Sequence, residues 1–229
     1  MKYLKVLPLA FLAGVMIALG GLANVACSAA EITGVGKILG SVFFSLGLLA
    51  VCGFGLFLFT GKIGYAFEKK ADYFVLLFEG LLANAAGAFS VGALVNLAIP
   101  TGSGKIGSAL KAIADAKDIV EGGETWYAAF IMAILCGVLV FVAVDLFKRK
   151  PGIVGTLGLI LSVAVFVIVG AEHCIANMFY FAAAGHWTWG MLINILFVTL
   201  GNVIGALVFW LFEKAGGLIN KPSEKEETK

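Results

Sequence analysis

Charged side chains are scarce in this 229-residue chain, and the shortage limits what the protein can be. Asp, Glu, Lys and Arg make up 13% of the residues, hydrophobic residues make up 61%, and the mean hydropathy is +1.04. Soluble domains carry roughly a quarter charged residues, so this composition excludes a soluble enzyme and implies a lipid environment. The net charge is only +2 and its basic residues gather at the ends of apolar runs, so nucleic acid is not an expected partner.

Histidine and cysteine are also few, which narrows the chemistry. The chain has two histidines, His173 and His186, and its four cysteines all fall within apolar stretches. A disulfide framework of the secreted kind would be out of place there, so we expect buried, reduced cysteines. Two lone histidines supply no haem or quinone ligand pair, and no cluster has the spacing of metal ligands. We therefore expect neither a metal nor a cofactor.

Long uncharged runs are what the sequence has instead. A hydrocarbon core about 30 Å thick needs about 20 helical residues to cross it, and six runs qualify. They are Val6 to Ala30, Ile38 to Gly61, Tyr73 to Ile99, Thr125 to Val144, and two halves of Pro151 to Phe212 that a turn at Gly185 and His186 separates. The runs are continuously apolar rather than alternating, which excludes a barrel. We predict an all-α integral membrane protein, with a six-helix transmembrane domain over residues 1–217 and a charged cytoplasmic tail over residues 218–229.

Lysine and arginine are divided unequally between the two sides that six spans define. Twelve lie on the side of the N-terminus and four on the other side. Those four are Lys37, Lys105, Lys111 and Lys117. Because cytoplasmic loops carry the excess of basic residues, we predict a multi-pass protein of a bacterial-type inner (cell) membrane with both termini in the cytoplasm.

An internal repeat relates the third and sixth spans. Both contain Asn-x-x-Gly-Ala, at residues 84–88 and 202–206. The motif falls in the last helix of each three-helix half, and an odd number of spans per half gives the halves opposite orientations. We therefore predict two inverted three-helix repeats.

The second and fifth spans are both overlong and interrupted. The second contains Thr60 within a glycine-rich end, and the fifth carries Glu172, His173 and Asn177 deep in its apolar run. Irregular backbone at membrane depth persists only where it is buried in protein or lines a cavity, so paired interruptions indicate a site near the midplane. The alternative is that these polar side chains only tie helices together.

Three motifs carry a resemblance to a known family. They are Leu58-Phe59-Thr60-Gly61, Glu172-His173-x-x-Ala176-Asn177-Met178 and Gly201-Asn202-x-x-Gly205. With these motifs the chain resembles the formate/nitrite transporter family from the first span to the end of the sixth. The resemblance implies aquaporin-like protomers, each with its own pore, that assemble as a homopentamer in lipid and pass small monovalent anions such as formate, nitrite or hydrosulfide.

The resemblance also implies roles for individual residues. The cytoplasmic-side constriction would comprise Leu48, Phe59 and Thr60 near His173, the periplasmic-side constriction Phe44 and Phe166, and the outer vestibule Lys117. Glu172, Asn177 and Asn202 would be supporting polar residues. The chain departs from the family at Lys62, where asparagine is usual, and at Ala83 and Gly137. Its general character is that of the hydrosulfide branch, although no single residue argues this.

Two other function classes and two transport mechanisms remain open at this point. A membrane-embedded enzyme could use Glu172, His173 and Cys174, but the chain lacks a serine or paired-carboxylate constellation. A structural membrane subunit would need no site at all. If the protein transports anions, Thr60 and His173 are the available hydrogen-bond donors, and either a channel or a proton-coupled carrier could use them.

The first span imitates a signal peptide, and its retention is testable. Two lysines precede an apolar run of about 25 residues, which is longer than the roughly 7 to 15 residues of a signal core. We therefore expect the mature protein to keep this span, and reporter fusions to place both termini in the cytoplasm. Mass spectrometry that finds a mature protein beginning near Cys27 would contradict this prediction.

Overall fold

The structure is a computed structural model that describes residues 6–30 and 34–217. Within these ranges it contains nine α-helices and one 3-10 helix, and the predicted tail at residues 218–229 lies outside them. The α-helices are α1 (Val6–Ser28), α2 (Val35–Gly53), α3 (Phe59–Lys62), α4 (Asp72–Ala98), α5 (Gly104–Ala116), α6 (Trp126–Arg149), α7 (Ile153–Ile168), α8 (Cys174–Ala184) and α9 (Trp189–Ala215). The 3-10 helix Ile63–Glu68 continues directly from α3.

Five of the described helices are long and apolar enough to cross a membrane. These are α1, α2, α4, α6 and α9, while α7 and α8 are shorter apolar helices of 16 and 11 residues. Large apolar side chains on their outer faces are exposed, such as Leu97 at 81% and Phe212 at 73%. Such a surface suits lipid or another subunit and would be unfavourable in water. The all-helical, apolar character expected from composition is therefore confirmed.

The segment predicted as the second span contains two helices and a non-helical stretch between them. Helix α2 ends at Gly53, residues 54–58 are not helical, and α3 then begins at Phe59. The fifth predicted span is divided in a corresponding way between α7 and α8, with residues 169–173 between them. Helix α5 follows the third predicted span.

Glycines allow the long helices to approach one another closely. Helix α1 packs against α2 and α4, and helix α6 packs against α7 and α9. A Cβ atom at Gly87 would lie 2.1 Å from the carbonyl oxygen of Phe11, and one at Gly205 would lie 2.0 Å from that of Ile134. Only glycine fits at these crossings, as is typical of membrane helices, where close packing replaces the hydrophobic effect.

Two apolar clusters fill the interior. The larger cluster includes Phe44, Leu48, Leu58 and Phe166, and the smaller one surrounds Phe59. The smaller cluster also contains Phe57, Ile63, Tyr65, Phe141 and Trp210. Consecutive residues of the segment that leads into α3 thus point into different clusters.

Candidate conduction site

Helices α2 and α7 end in the same way. Gly55 follows α2 with a φ of 66°, and Gly170 follows α7 with a φ of 75°. The next amide in each segment bonds back to the helix, from Leu56 to Val51 and from Ala171 to Phe166, both at 2.8 Å. This is the Schellman geometry, in which a left-handed glycine ends a helix and satisfies its last carbonyls.

Asn84 on α4 holds the first non-helical segment. Its Oδ1 accepts a hydrogen bond from the backbone N–H of Phe59 at 2.8 Å. Its Nδ2 donates to the carbonyl oxygens of Phe57 at 2.8 Å and of Ala10 at 2.7 Å. One fully buried amide therefore satisfies both sides of the segment and ties it to α1, where no water could do so.

Asn202 on α9 makes the corresponding set of bonds to the second segment. Its Oδ1 accepts from the N–H of Cys174 at 3.0 Å, and its Nδ2 donates to the carbonyl oxygens of Glu172 at 2.8 Å and of Ala133 at 2.9 Å. In both segments the amide contacts two residues that are two positions apart, with a helix beginning at the second. The residue between them is Leu58 in one segment and His173 in the other.

The two segments meet at one polar contact. Thr60 Oγ1 lies 3.0 Å from His173 Nε2, and both residues are almost completely buried. His173 is also the N-cap of α8, where its Nδ1 accepts a hydrogen bond from the N–H of Ala176 at 3.2 Å. Because a backbone N–H can only donate, Nδ1 carries no hydrogen, and the neutral ring has its hydrogen on Nε2. Nε2 therefore donates to Thr60, which leaves the threonine hydroxyl hydrogen free.

A cavity lies beside each residue of this contact. The cavity beside His173, which we call the outer cavity after the predicted orientation, has a volume of about 170 Å³, and Phe44, Phe166, His173 and Lys117 are among its lining residues. The second cavity, which we call the inner cavity, has a volume of about 330 Å³. Leu58, Gly61, Lys62 and Lys148 are among the residues that line it. His173 thus lines one cavity and Gly61, the neighbour of Thr60, lines the other, and each cavity carries at least one lysine.

The phenyl rings expected at the outer constriction lie together. The ring centroids of Phe44 and Phe166 are 5.4 Å apart in an edge-to-face arrangement, and the ring of Phe166 stacks near the imidazole of His173 at 6.1 Å. Phe44, Phe166 and His173 thus lie side by side at the outer cavity. Leu48 belongs to the same apolar cluster as the two phenyl rings but is not among the lining residues of either cavity.

Phe59 is an exception to the expected grouping. Its ring packs in the smaller cluster with Phe57 and Phe141, and it lines neither the inner nor the outer cavity. The physical reason is the extended backbone at Leu58, with φ −96° and ψ 124°, because successive side chains of extended backbone point in opposite directions. Leu58 therefore faces the inner cavity in the place that the sequence predicted for Phe59.

Lys117 differs from a free vestibule cation in one respect. Its Nζ forms an ion pair with Glu172 Oε1, and Glu172 Oε2 accepts from Asn177 Nδ2 at 2.6 Å. The three predicted vestibule and supporting residues are thus in one network. The lysine charge is compensated by a carboxylate rather than offered alone to an approaching ion.

Sequence reasoning missed several polar residues that complete the site. Asn84 appears in the internal repeat but was not among the predicted site residues, although its match to Asn202 was a usable signal. Asn194 donates to Glu124 Oε1 at 2.9 Å and accepts from Asn177 at 2.8 Å. No motif surrounds Asn194 or Glu124, so their pairing depends on the tertiary fold alone.

Comparison with known proteins places these features in a family. A family model described as formate/nitrite transporter matches residues 1–213. A probable formate transporter of Methanothermobacter thermautotrophicus is 33% identical over 90% of this chain and 85% of its own length. A solved pentameric formate channel with formate bound has a TM-score of 0.79 at 26% identity and covers 96% of this chain and 98% of that chain. A solved FNT family ion channel, with a TM-score of 0.81 at 24% identity over 96% of this chain and 91% of that chain, has the same fold.

The chain belongs to the formate/nitrite transporter family, as its motifs indicated. It is an integral membrane protein of a family of channels for small anions. The prediction that it is not an enzyme is confirmed, because these relatives are transporters and channels. The enzyme alternative built on Glu172, His173 and Cys174 has no support among them.

The hydrogen bonds of the Asn84 side chain predict a large loss of stability when that side chain is removed. In Asn84→Ala, the N–H of Phe59 and the carbonyls of Phe57 and Ala10 lose their partner, and each buried unpaired group costs about 1–3 kcal/mol. We expect a markedly lower unfolding temperature in detergent and little transport. Ser90→Ala on the same helix removes only a bond to the Ala86 carbonyl and should resemble the wild type. Equal stability of the two variants would contradict this role of Asn84.

Proposed function

We propose that each protomer conducts small monovalent anions past the contact between Thr60 and His173. The observation that carries this proposal is the position of that contact, between an outer cavity with Lys117 and an inner cavity with Lys62. Phe44 and Phe166 narrow the path on the outer side, and Leu48 and Leu58 narrow it on the inner side. Asn202 and Asn177 position the polar centre.

The proposed architecture has six spans in two inverted three-helix repeats. Helices α2 and α3 would form the interrupted second span, and α7 and α8 the interrupted fifth. The matching bonds of Asn84 and Asn202, and the matching glycine crossings at Gly87 and Gly205, support this reading. We further propose that both termini face the cytoplasm, and that Lys62 therefore marks the inner mouth.

We also propose a homopentamer in which the exposed apolar faces contact lipid or neighbouring copies. The similar solved formate channel is pentameric, and large apolar side chains remain exposed on the protomer. The conduction path described above lies within one protomer. The assembly would then hold five parallel paths.

Selectivity in this proposal comes from hydrogen-bond donors rather than from a bare charge. An anion between phenyl rings loses hydration that the protein must replace. The Thr60 hydroxyl and His173 Nε2–H can both donate to it, because the N-cap bond keeps Nδ1 as an acceptor. A protonated ring would lose that bond to Ala176 and would place a positive charge at the N-terminus of α8, which the helix dipole disfavours. A weakly held anion can then leave as easily as it arrives.

The lysines of the inner cavity would also help to attract anions to the path. Lys62 and Lys148 line it, and no carboxylate is among its lining residues in the described part of the chain. Two ammonium groups at the mouth would raise the local concentration of anions on the cytoplasmic side. Since Lys62 stands where asparagine is usual in the family, we propose that this chain favours anion capture from the cytoplasm.

Formate is the first anion to test, because the named relative is a probable formate transporter. Hydrosulfide, which the general character of the sequence favours, is the direct competitor. Flux of either anion into liposomes that hold only the purified protein would also exclude a purely structural subunit. A preference for hydrosulfide over formate by at least tenfold would favour the hydrosulfide branch.

His173 is testable through the selectivity of this flux. In His173→Asn the oriented Nε2–H that donates to Thr60 is lost, so we expect lower flux and altered selectivity at neutral pH. His186→Asn removes the other histidine, whose side chain is 39% exposed, and serves as the control with unchanged flux. If His173→Asn keeps the wild-type flux and selectivity, His173 only joins helices.

Leu58 and Phe59 offer a paired test of the inner constriction. Leu58→Ala should widen the path and admit an anion of lactate size, because this side chain lines the inner cavity. Phe59→Ala should leave size selectivity unchanged and instead destabilise the protein, since removal of a buried phenyl ring costs about 3–5 kcal/mol. Uptake of lactate against formate, measured on intact pentamers, decides between them. Lactate uptake through Phe59→Ala alone would overturn this assignment.

A further inference from the structure

Behind the outer cavity, a chain of hydrogen bonds joins two carboxylates to one lysine. Glu124 Oε1 accepts from Asn194 Nδ2 at 2.9 Å, and Asn194 Nδ2 also donates to the carbonyl oxygen of Lys117 at 3.1 Å. Asn194 Oδ1 accepts from Asn177 Nδ2 at 2.8 Å. Asn177 in turn donates to Glu172, which forms the ion pair with Lys117. Every amide hydrogen of the two asparagines is therefore used.

This arrangement leaves only one oxygen for a proton. Both oxygens of Glu172 are occupied, one by Lys117 and one by Asn177. Glu124 Oε1 is occupied by Asn194, whereas Oε2 has no hydrogen-bond partner among the described residues. The backbone N–H of Glu124 donates to the carbonyl of Ala116 at 2.8 Å, which fixes the residue against the end of α5.

The charge of the cluster depends on that carboxyl group. Lys117 and Glu172 cancel one another, so the cluster is neutral when Glu124 is protonated and carries one negative charge when Glu124 is ionised. No other charged side chain among the described residues offsets Glu124. Asn194 of α9, which donates to Glu124, is uncharged, as is Asn177 of α8, which bonds to Asn194. Asp118 on the same loop as Glu124 instead accepts from Thr188 and from backbone N–H groups.

We propose that Glu124 is a proton-binding site of the outer vestibule, and that a proton bound there allows anions to reach the outer cavity. This inference rests on the proposed anion conduction. With the proton bound, the ammonium of Lys117 faces the cavity beside one carboxylate. Without it, a second carboxylate repels anions at the same place.

The surroundings of Glu124 favour proton binding near neutrality. Burial, followed by the charge of nearby Glu172, raises the pKa of Glu124 to about 7, and the ammonium of Lys117 opposes this rise. A carboxyl group with such a pKa is mostly protonated below pH 7 and mostly ionised above it. Flux from the outside should therefore fall as the external pH rises through about 7.

The test compares Glu124→Gln with Glu121→Gln in oriented proteoliposomes, with formate as the probe. Glutamine still accepts from Asn194 but cannot ionise, and Glu121 lies on the same loop with an exposed side chain. Protonation of formate itself affects all variants equally, so the readout is the ratio of variant uptake to wild-type uptake at each external pH. For Glu124→Gln we expect a ratio near one at pH 6 and about ten at pH 8. For Glu121→Gln we expect a ratio near one at both.

The outcomes of this test distinguish the proton-binding site from the proposed anion conduction on which it rests. Absence of protein-dependent uptake of both formate and hydrosulfide in every variant would refute the proposed function. Uptake with the same Glu124→Gln ratio at both pH values would overturn the proton site alone. Infrared titration of the wild type gives a check that needs no variant, because a carboxyl C=O band should disappear between pH 6 and pH 8. Lack of any such band would also overturn the proposal.

Discussion

Two buried side-chain amides hold the non-helical segments at residues 54–58 and 169–173 in place. A helix that ends in the protein interior leaves amides and carbonyls without partners, and each such group is costly where water cannot reach it. Asn84 and Asn202 each satisfy one donor and two acceptors at a break. Thr60 and His173 can meet in the interior only because these bonds keep both breaks in place. The glycine crossings serve the same end, since they let the helices that carry the amides approach the breaks.

The polar centre that results is nearly neutral. His173 is fixed as a donor through Nε2 by the bond that Nδ1 accepts from Ala176, and Lys117 is balanced by Glu172. In the proposed path, a fixed positive charge at the Thr60–His173 contact would trap an anion, whereas two oriented donors would stabilise it and release it. The charges that would attract anions lie elsewhere in this proposal, because Lys62 and Lys148 line the inner cavity and the proposed proton-binding cluster lies behind the outer one.

Composition and uncharged runs predict the all-helical membrane fold because a lipid environment requires apolar segments that are long enough to span it and carry few charges. The importance of Glu172 and His173 could also be anticipated, since such residues are costly in an apolar run unless they serve a site. The side on which Phe59 lies could not, because it depends on extended backbone at Leu58 that no periodicity reveals. Glu124 was equally hidden, because a loop glutamate gains meaning only when Asn194 of a distant helix reaches it. Local patterns thus predict which residues are unusual, and tertiary contacts decide which of them act together.

The central claim is that the anion passes within one protomer, between Thr60 and His173. Anomalous X-ray diffraction from crystals soaked in bromide, a monovalent anion that scatters anomalously, tests it most directly. We expect a bromide peak within hydrogen-bond distance of the Thr60 hydroxyl and His173 Nε2, and loss of that peak in crystals of His173→Asn. Bromide found only outside the protomer interior, such as along an axis between subunits, would contradict the account.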